Sequence, residues 1–167
     1  YRAHRRVVFN GNNYSGEWIA EAERRGLPNI STTVDAVKEM TGEKAIELFE
    51  SRHVFSKEEL ESRQAIYYEN YVKQIAIEAN ITASMARTSI LPATFSYSET
   101  LAHSIASIRE VDPQLDASPP RRTLDFLLET LGSFEKELEN LENLIEEGKK
   151  YEEETYEKAE FYRSRIF

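Results

Sequence analysis

From Phe55 to Ile108 the sequence keeps one helical periodicity, and that stretch constrains every other element. It opens Phe55-Ser56-Lys57-Glu58-Glu59-Leu60. Ser56 can cap the free amides of a first turn, Glu59 completes a capping box, and Phe55 can staple to Leu60. A stripe of apolar or small residues follows: Ile75, Ala79, Thr82, Ala86, Ile90, Ala93, Tyr97, Leu101, Ile105, Ile108. Every step is three or four residues, the signature of one helix face. Between Ala79 and Ser98 the only charged residue is Arg87, which predicts a middle covered on several sides. Pro92 lies inside that stretch, and the stripe is expected to pass through it in phase. Proline lacks an amide hydrogen, so a kink with a freed carbonyl at Thr88 is predicted, not a break. At about 1.5 Å per residue such a helix is roughly 80 Å long and needs a partner helix.

The partner follows. Val111-Asp112-Pro113 and Ala117-Ser118-Pro119-Pro120 mark a reversal, with Ser118 as the expected N-cap. Leu124, Leu127, Leu131, Phe134, Leu138, Leu141 and Ile145 then alternate steps of three and four, a heptad seam. The seam weakens at Gly148, Glu152 and Thr155 and resumes at Ala159, Tyr162 and Ile166, so the last helix is expected to run to about Arg163. With Ile108 opposite Leu124, paired positions sum to roughly 232 in an antiparallel hairpin. Ser84 would then lie beside Gly148, with the helices close together there. Eleven Glu and four Lys between 135 and 160 read as a wet outer face.

Three short helices precede the long one. The first spans about Gly16 to Arg25, capped by Ser15 and closed by Arg24-Arg25-Gly26-Leu27-Pro28. The second covers Val34 to Met40, with Thr32 and Asp35 in capping spacing. The third runs Glu43 to Ser51 and is expected to bury Ala45, Ile46, Leu48 and Phe49. Such short helices are not stable alone, so they are expected to pack on the long helix at Ile66, Tyr67, Tyr71 and Ile75, with Trp18 packed against it too. The fold class is therefore mainly α: short N-terminal helices on a long kinked helix, itself in an antiparallel hairpin with a long C-terminal helix. Residues 1–13 stand apart. Arg5-Arg6-Val7-Val8-Phe9 reads as a strand or extended arm and Asn10-Gly11-Asn12-Asn13 as a turn. A strand needs partners, so 1–13 is assigned to an upstream domain, 14–167 to a helical C-terminal domain, and 112–118 to the hairpin loop. The opening Tyr1-Arg2-Ala3-His4, without Met, suggests a longer polypeptide.

Composition narrows the function. A net charge of −9 disfavours nucleic acid and anionic membrane as partners. The absence of cysteine removes disulfides and thiolate chemistry. No apolar run is long enough for a bilayer span, and a cytoplasmic location is expected. His4, His53 and His103 fall on an arm, a loop and a helix, and Glu99 with His103 is the nearest approach to a carboxylate–histidine metal pair. Glu78 and Arg87 are the charges nearest the uncharged stretch, best read as structural partners. No catalytic, cofactor-binding or metal residue is assigned: catalytic none, cofactor none, metal none. Read from residues alone, the chain is a scaffold, and a free-standing, non-catalytic helical interaction module remains the alternative.

One resemblance adds to this. The run Arg5 to Ser15, then Trp18, Glu21-Ala22-Glu23, Arg25-Gly26-Leu27 and Asn29, resembles the end region of type III glutamine synthetases. The likeness continues through Thr32-Thr33, Asp35-Ala36, Val54-Phe55-Ser56, Glu59-Leu60, Ser62-Arg63, Tyr71, Lys73, Ile77-Glu78-Ala79, Met85, Ile90-Leu91-Pro92-Ala93 and Tyr97, covering roughly residues 4–110. The resemblance implies an ATP- and magnesium- or manganese-dependent ligase joining ammonia to glutamate through γ-glutamyl phosphate, in large ring assemblies. It implies the upstream catalytic domain and other subunits as partners, glutamate and ammonia as substrates of the full-length enzyme, and neither nucleic acid nor membrane. None of the family's metal, phosphate or glutamate motifs is matched, so this segment by itself is expected to be inactive.

Overall fold

The computed structural model describes residues 8–151 and 155–167, and every described element is helical. The helices are α1 (Gly16–Arg24), α2 (Thr33–Lys38), α3 (Glu43–Ser51), α4 (Lys57–Met85), α5 (Leu91–Val111), α6 (Ser118–Gly148) and α7 (Tyr156–Phe161). A 3₁₀ turn (Glu39–Thr41) follows α2, and π turns occupy Ala86–Ile90 and Tyr162–Ile166. Arg5–Val7 of the expected strand lies outside the described residues, and Val8 and Phe9 have no regular structure. The chain divides into two compact units, Tyr1–Gln64 and Ala65–Phe167.

The first unit is built on helix ends. Helix α1 stops at a glycine because Gly26 adopts φ 66°, so Leu27 N–H reaches Ala22 O (2.9 Å) and Gly26 N–H reaches Glu23 O (3.0 Å). This is a Schellman closure. Helix α3 ends the same way without a glycine: His53 takes φ 54°, Val54 N–H bonds Phe49 O and His53 N–H bonds Glu50 O, each at 3.0 Å. Ser15 does not cap α1 as expected; its hydroxyl donates to Asn12 O instead. Thr32 does cap α2, accepting from Asp35 N–H. At the start of α4 the capping box is complete, with Glu59 N–H to Ser56 Oγ at 3.2 Å and Ser56 N–H to Glu59 Oε2 at 2.8 Å. Gln64 Nε2 donates to Val37 O (2.9 Å) and Thr41 Oγ1 (2.9 Å), satisfying the carbonyl end of α2. Ala22, Val34, Val37 and Leu60 form the buried apolar set. Leu48, expected inside, is exposed on α3. Trp18 stacks at 5.1 Å on Phe9.

In the second unit, α5 and α6 reverse through residues 112–117. The cap at the start of α6 is Asp116, not Ser118. Its carboxylate accepts from Ser118 N–H (2.9 Å) and Ser118 Oγ (3.1 Å), and these bonds hold its pKa below the usual carboxylate value. Small residues on one helix meet large ones on the other: Ala79, Ala83, Ala86 and Leu91 pack with Leu131, Leu138 and Ile145, flanked by Phe134, Leu141 and Ile166. Alanine on one side lets the two backbones approach while leucine fills the groove. The heptad seam of α6 is thus the buried one, as its spacing predicts.

Three expectations need correction here. Helix α6 ends at Gly148 and the chain re-forms as α7, so no continuous helix reaches Arg163. Gly148 does not face Ser84, which is exposed. It is covered by Tyr162, whose Oη would lie 2.8 Å from a Cβ added at that glycine. The register also shifts, since Arg87 pairs with Glu142, positions that sum to 229.

Candidate functional site

Helix α4, the π turn and α5 form one 55-residue rod, and its local structure is set at Pro92. Without a proline amide, the regular bond to Thr88 O cannot form. The chain widens one turn instead: Leu91 N–H donates to Ala86 O, five residues back. A π turn holds one residue more than a regular turn, so the buried face skips a position. It runs Ile75, Ala79, Ala83, Ala86, then Leu91, with half-buried Thr94 and Ser98, and Leu101. The expected stripe through Ile90, Ala93 and Tyr97 is therefore displaced. Those residues are exposed because the extra residue hands the inward position to Leu91.

The displaced stripe is the main unassigned feature of the unit. Ile77, Ile81, Met85, Ile90 and Tyr97 are 48–56% exposed, and Phe95 51%. The expectation that 79–98 is covered on several sides fails within this chain. Packing from α6 protects one side, and most residues of that span are exposed. Monomeric proteins seldom present so large a contiguous apolar surface without using it.

The charged residues beside this rod are structurally engaged. Arg87 Nε and Nη2 donate to the two carboxylate oxygens of Glu142 at 2.9 and 2.7 Å. That pair raises the Arg87 pKa and lowers that of Glu142. Glu78 accepts from Gln74 Nε2 at 2.6 Å. Glu99 and His103 lie exposed on α5, and among the described residues no three His, Asp or Glu side chains gather as a metal-binding group. His4 lies outside the described residues.

Two clefts accompany the rod. In the first unit one of about 340 Å³ is lined by Glu50, His53, Val54, Phe55, Ser56 and Glu59. Its carboxylates serve the start of α4: Glu59 on Ser56 N–H, and Glu50 on Lys57 N–H at 3.2 Å. In the second unit one of about 220 Å³ lies between Ile75, Glu78, Ala79, Thr82, Leu141, Ile166 and Phe167, a mostly apolar wall. No described helix is long and apolar enough to cross a membrane.

Comparison with known proteins adds the family context. A family model described as the glutamine synthetase C-terminal domain matches residues 1–109, which takes in everything up to the end of α5. The type-3 glutamine synthetase of Dictyostelium discoideum is 39% identical over 143 residues, 85% of this chain and 20% of that protein. The glutamine synthetase of Butyrivibrio fibrisolvens is 35% identical over 167 residues, 98% of this chain and 23% of that protein, so its likeness extends through α6 and α7. That of Bacteroides fragilis is 30% identical over 105 residues, 63% and 14% of the two chains. The chain spans about a fifth of the length of the first two relatives.

Proposed function

Since this chain belongs to the glutamine synthetase C-terminal domain family, as the C-terminal region of a type III enzyme, we propose that it is a helical scaffold that braces the catalytic part and joins subunits. The whole enzyme would ligate ammonia to glutamate in the cytoplasm, using ATP and magnesium or manganese bound elsewhere in the polypeptide. The single observation that carries this reading is the half-exposed apolar stripe at Ile77, Ile81, Met85, Ile90 and Tyr97, on a rod otherwise packed and capped. Burying it against the rest of an assembly removes that surface from water, at roughly 25 cal/mol per Å². The pairing of Arg87, Glu78, Glu50 and Glu59 within the chain supports the same division of labour, because these groups already serve helix ends and helix contacts.

The test uses the full-length enzyme. Ile81→Arg places a charge in the stripe while leaving the α4–α6 contact untouched. The expected result is a smaller particle by light scattering, with glutamine synthesis reduced in proportion to the assembly lost. Unchanged assembly and activity would contradict the scaffold reading. So would ATP-dependent γ-glutamyl transfer by the 167-residue chain alone.

A further inference from the structure

We infer that the exposed stripe of α4 and α5 pairs with the same stripe of a second copy, antiparallel, about a two-fold axis beside the π turn. This rests on the scaffold reading and names one of its partners. The first ground is the pattern of side chains. Along the stripe the order is Ile77, Ile81, Met85, the wide turn, Ile90, Ala93, Tyr97. Reversed and laid on itself, it sets Ile81 against Ala93, Met85 against Ile90, and Ile77 against Tyr97. Each large side chain at the centre meets either a small one or a flexible one, and residue i facing j implies j facing i, as a two-fold interface requires. Methionine beside the axis adapts to an irregular gap.

Charge is the second ground. Arg87, the only charge in 79–98, falls near the axis by number, where two copies would repel. It is turned to Glu142 in a two-pronged pair, so each copy neutralises its own guanidinium. Further out, the same register brings Lys73 of one copy near Glu99 of the other, opposite charges at the rim where solvated pairs set orientation. A parallel arrangement would set Lys73 beside Lys73 and Glu99 beside Glu99.

Area is the third. Five half-exposed side chains of this size offer on the order of 500 Å² per copy, the upper range of patches on monomers. Two copies would bury on the order of 1,000 Å², the threshold for a specific pair, before the flanking Ile66, Tyr67 and Phe95 are counted.

The test exploits the absence of native cysteine. Sedimentation of the 167-residue chain at up to about 100 μM, where a micromolar pair is saturated, is expected to give twice the monomer mass. Ile81→Arg is expected to return it to the monomer with unchanged helical circular dichroism. Oxidising a mixture of Ile81→Cys and Ala93→Cys chains is expected to give crosslinked dimer at several times the yield of either variant alone. A monomer at that concentration, a dimer indifferent to Ile81→Arg, or equal crosslinking in mixed and unmixed samples would each overturn the pairing. If the isolated chain is monomeric while Ile81→Arg still dismantles the full-length enzyme, the scaffold reading stands and self-pairing falls.

Discussion

Leu91, not Ile90, is the residue that follows Ala86 on the buried face, because Leu91 N–H bonds Ala86 O across a five-residue step. Leu91 is 4% exposed and Ile90 48%. The neighbouring pair thus reports on the turn directly. Leu91→Ala is expected to cost about 2–5 kcal/mol, as for a buried leucine, and Ile90→Ala less than about 1 kcal/mol. Chemical denaturation of the two variants measures the difference; equal losses would mean that the face does not skip.

Arg87 and Glu142 tie this wide turn to α6 from a position about 40% exposed on each side. Their coupling is expected to be small and sensitive to salt. A double-mutant cycle with Arg87→Ala and Glu142→Ala should show coupling at low ionic strength that fades near 1 M salt, where screening acts within about 3 Å.

Gly148 sits against Tyr162, which is 4% exposed and has little room to move. Gly→Ala inside a helix ordinarily stabilises by about 0.5–1 kcal/mol. Here the added Cβ meets the tyrosine ring and hydroxyl at 2.8–2.9 Å, so Gly148→Ala is expected to destabilise by about 1–3 kcal/mol instead. Thermal denaturation gives the sign; a gain in Tm would show that the tyrosine is not held there.

The left-handed residues at the ends of α1 and α3 make a matched pair. His53 has φ 54° and Gly26 φ 66° in equivalent positions. His53→Gly is expected to stabilise by about 1 kcal/mol, through relief of the side-chain clash, and Gly26→Ala to destabilise by a similar amount. Urea midpoints of the two variants test both signs.

Acid sensitivity has a defined source in α1. Glu21 accepts from Arg24 Nε (2.6 Å) and Arg25 Nε (2.5 Å), which lowers its pKa from 4.5 to about 2. Arg25 also donates to Val8 O at 3.0 Å, tying the preceding segment to the same cluster. A depressed carboxylate contributes stability that is fully present above pH 4.5 and is lost as the pH falls toward 2. Trp18 fluorescence followed through that window should shift in the wild type, and Glu21→Gln should flatten the response.

Much of this architecture was legible in the chain because it is local. Ser56 with Glu59, Thr32 with Asp35, Gly26 after α1, and the seam from Leu124 to Ile145 act over one or two turns, and each is found. What sequence could not supply is geometry that depends on a distant partner. Pro92 announces a distortion, but whether the helix bends or takes up an extra residue is decided by which side chain α6 receives. Gly148 announces a close approach, yet its visitor comes from Tyr162, fourteen residues on, and not from the facing helix. The uncharged middle of the rod predicted burial correctly for one face. Its opposite face carries the same composition, and periodicity alone does not say that its cover must come from outside the unit.

The most direct test of the account is site-by-site thiol labelling along the rod in the cysteine-free background. Single cysteines at 77, 81, 85, 90 and 97 would be compared with cysteines at 79, 83, 86 and 91, in the dilute chain and in the assembled full-length enzyme. The account predicts that the second set is protected in both, and that the first set reacts in the dilute chain and becomes protected on assembly. Protection of the first set in the dilute chain, or its continued reaction in the assembled enzyme, would contradict it.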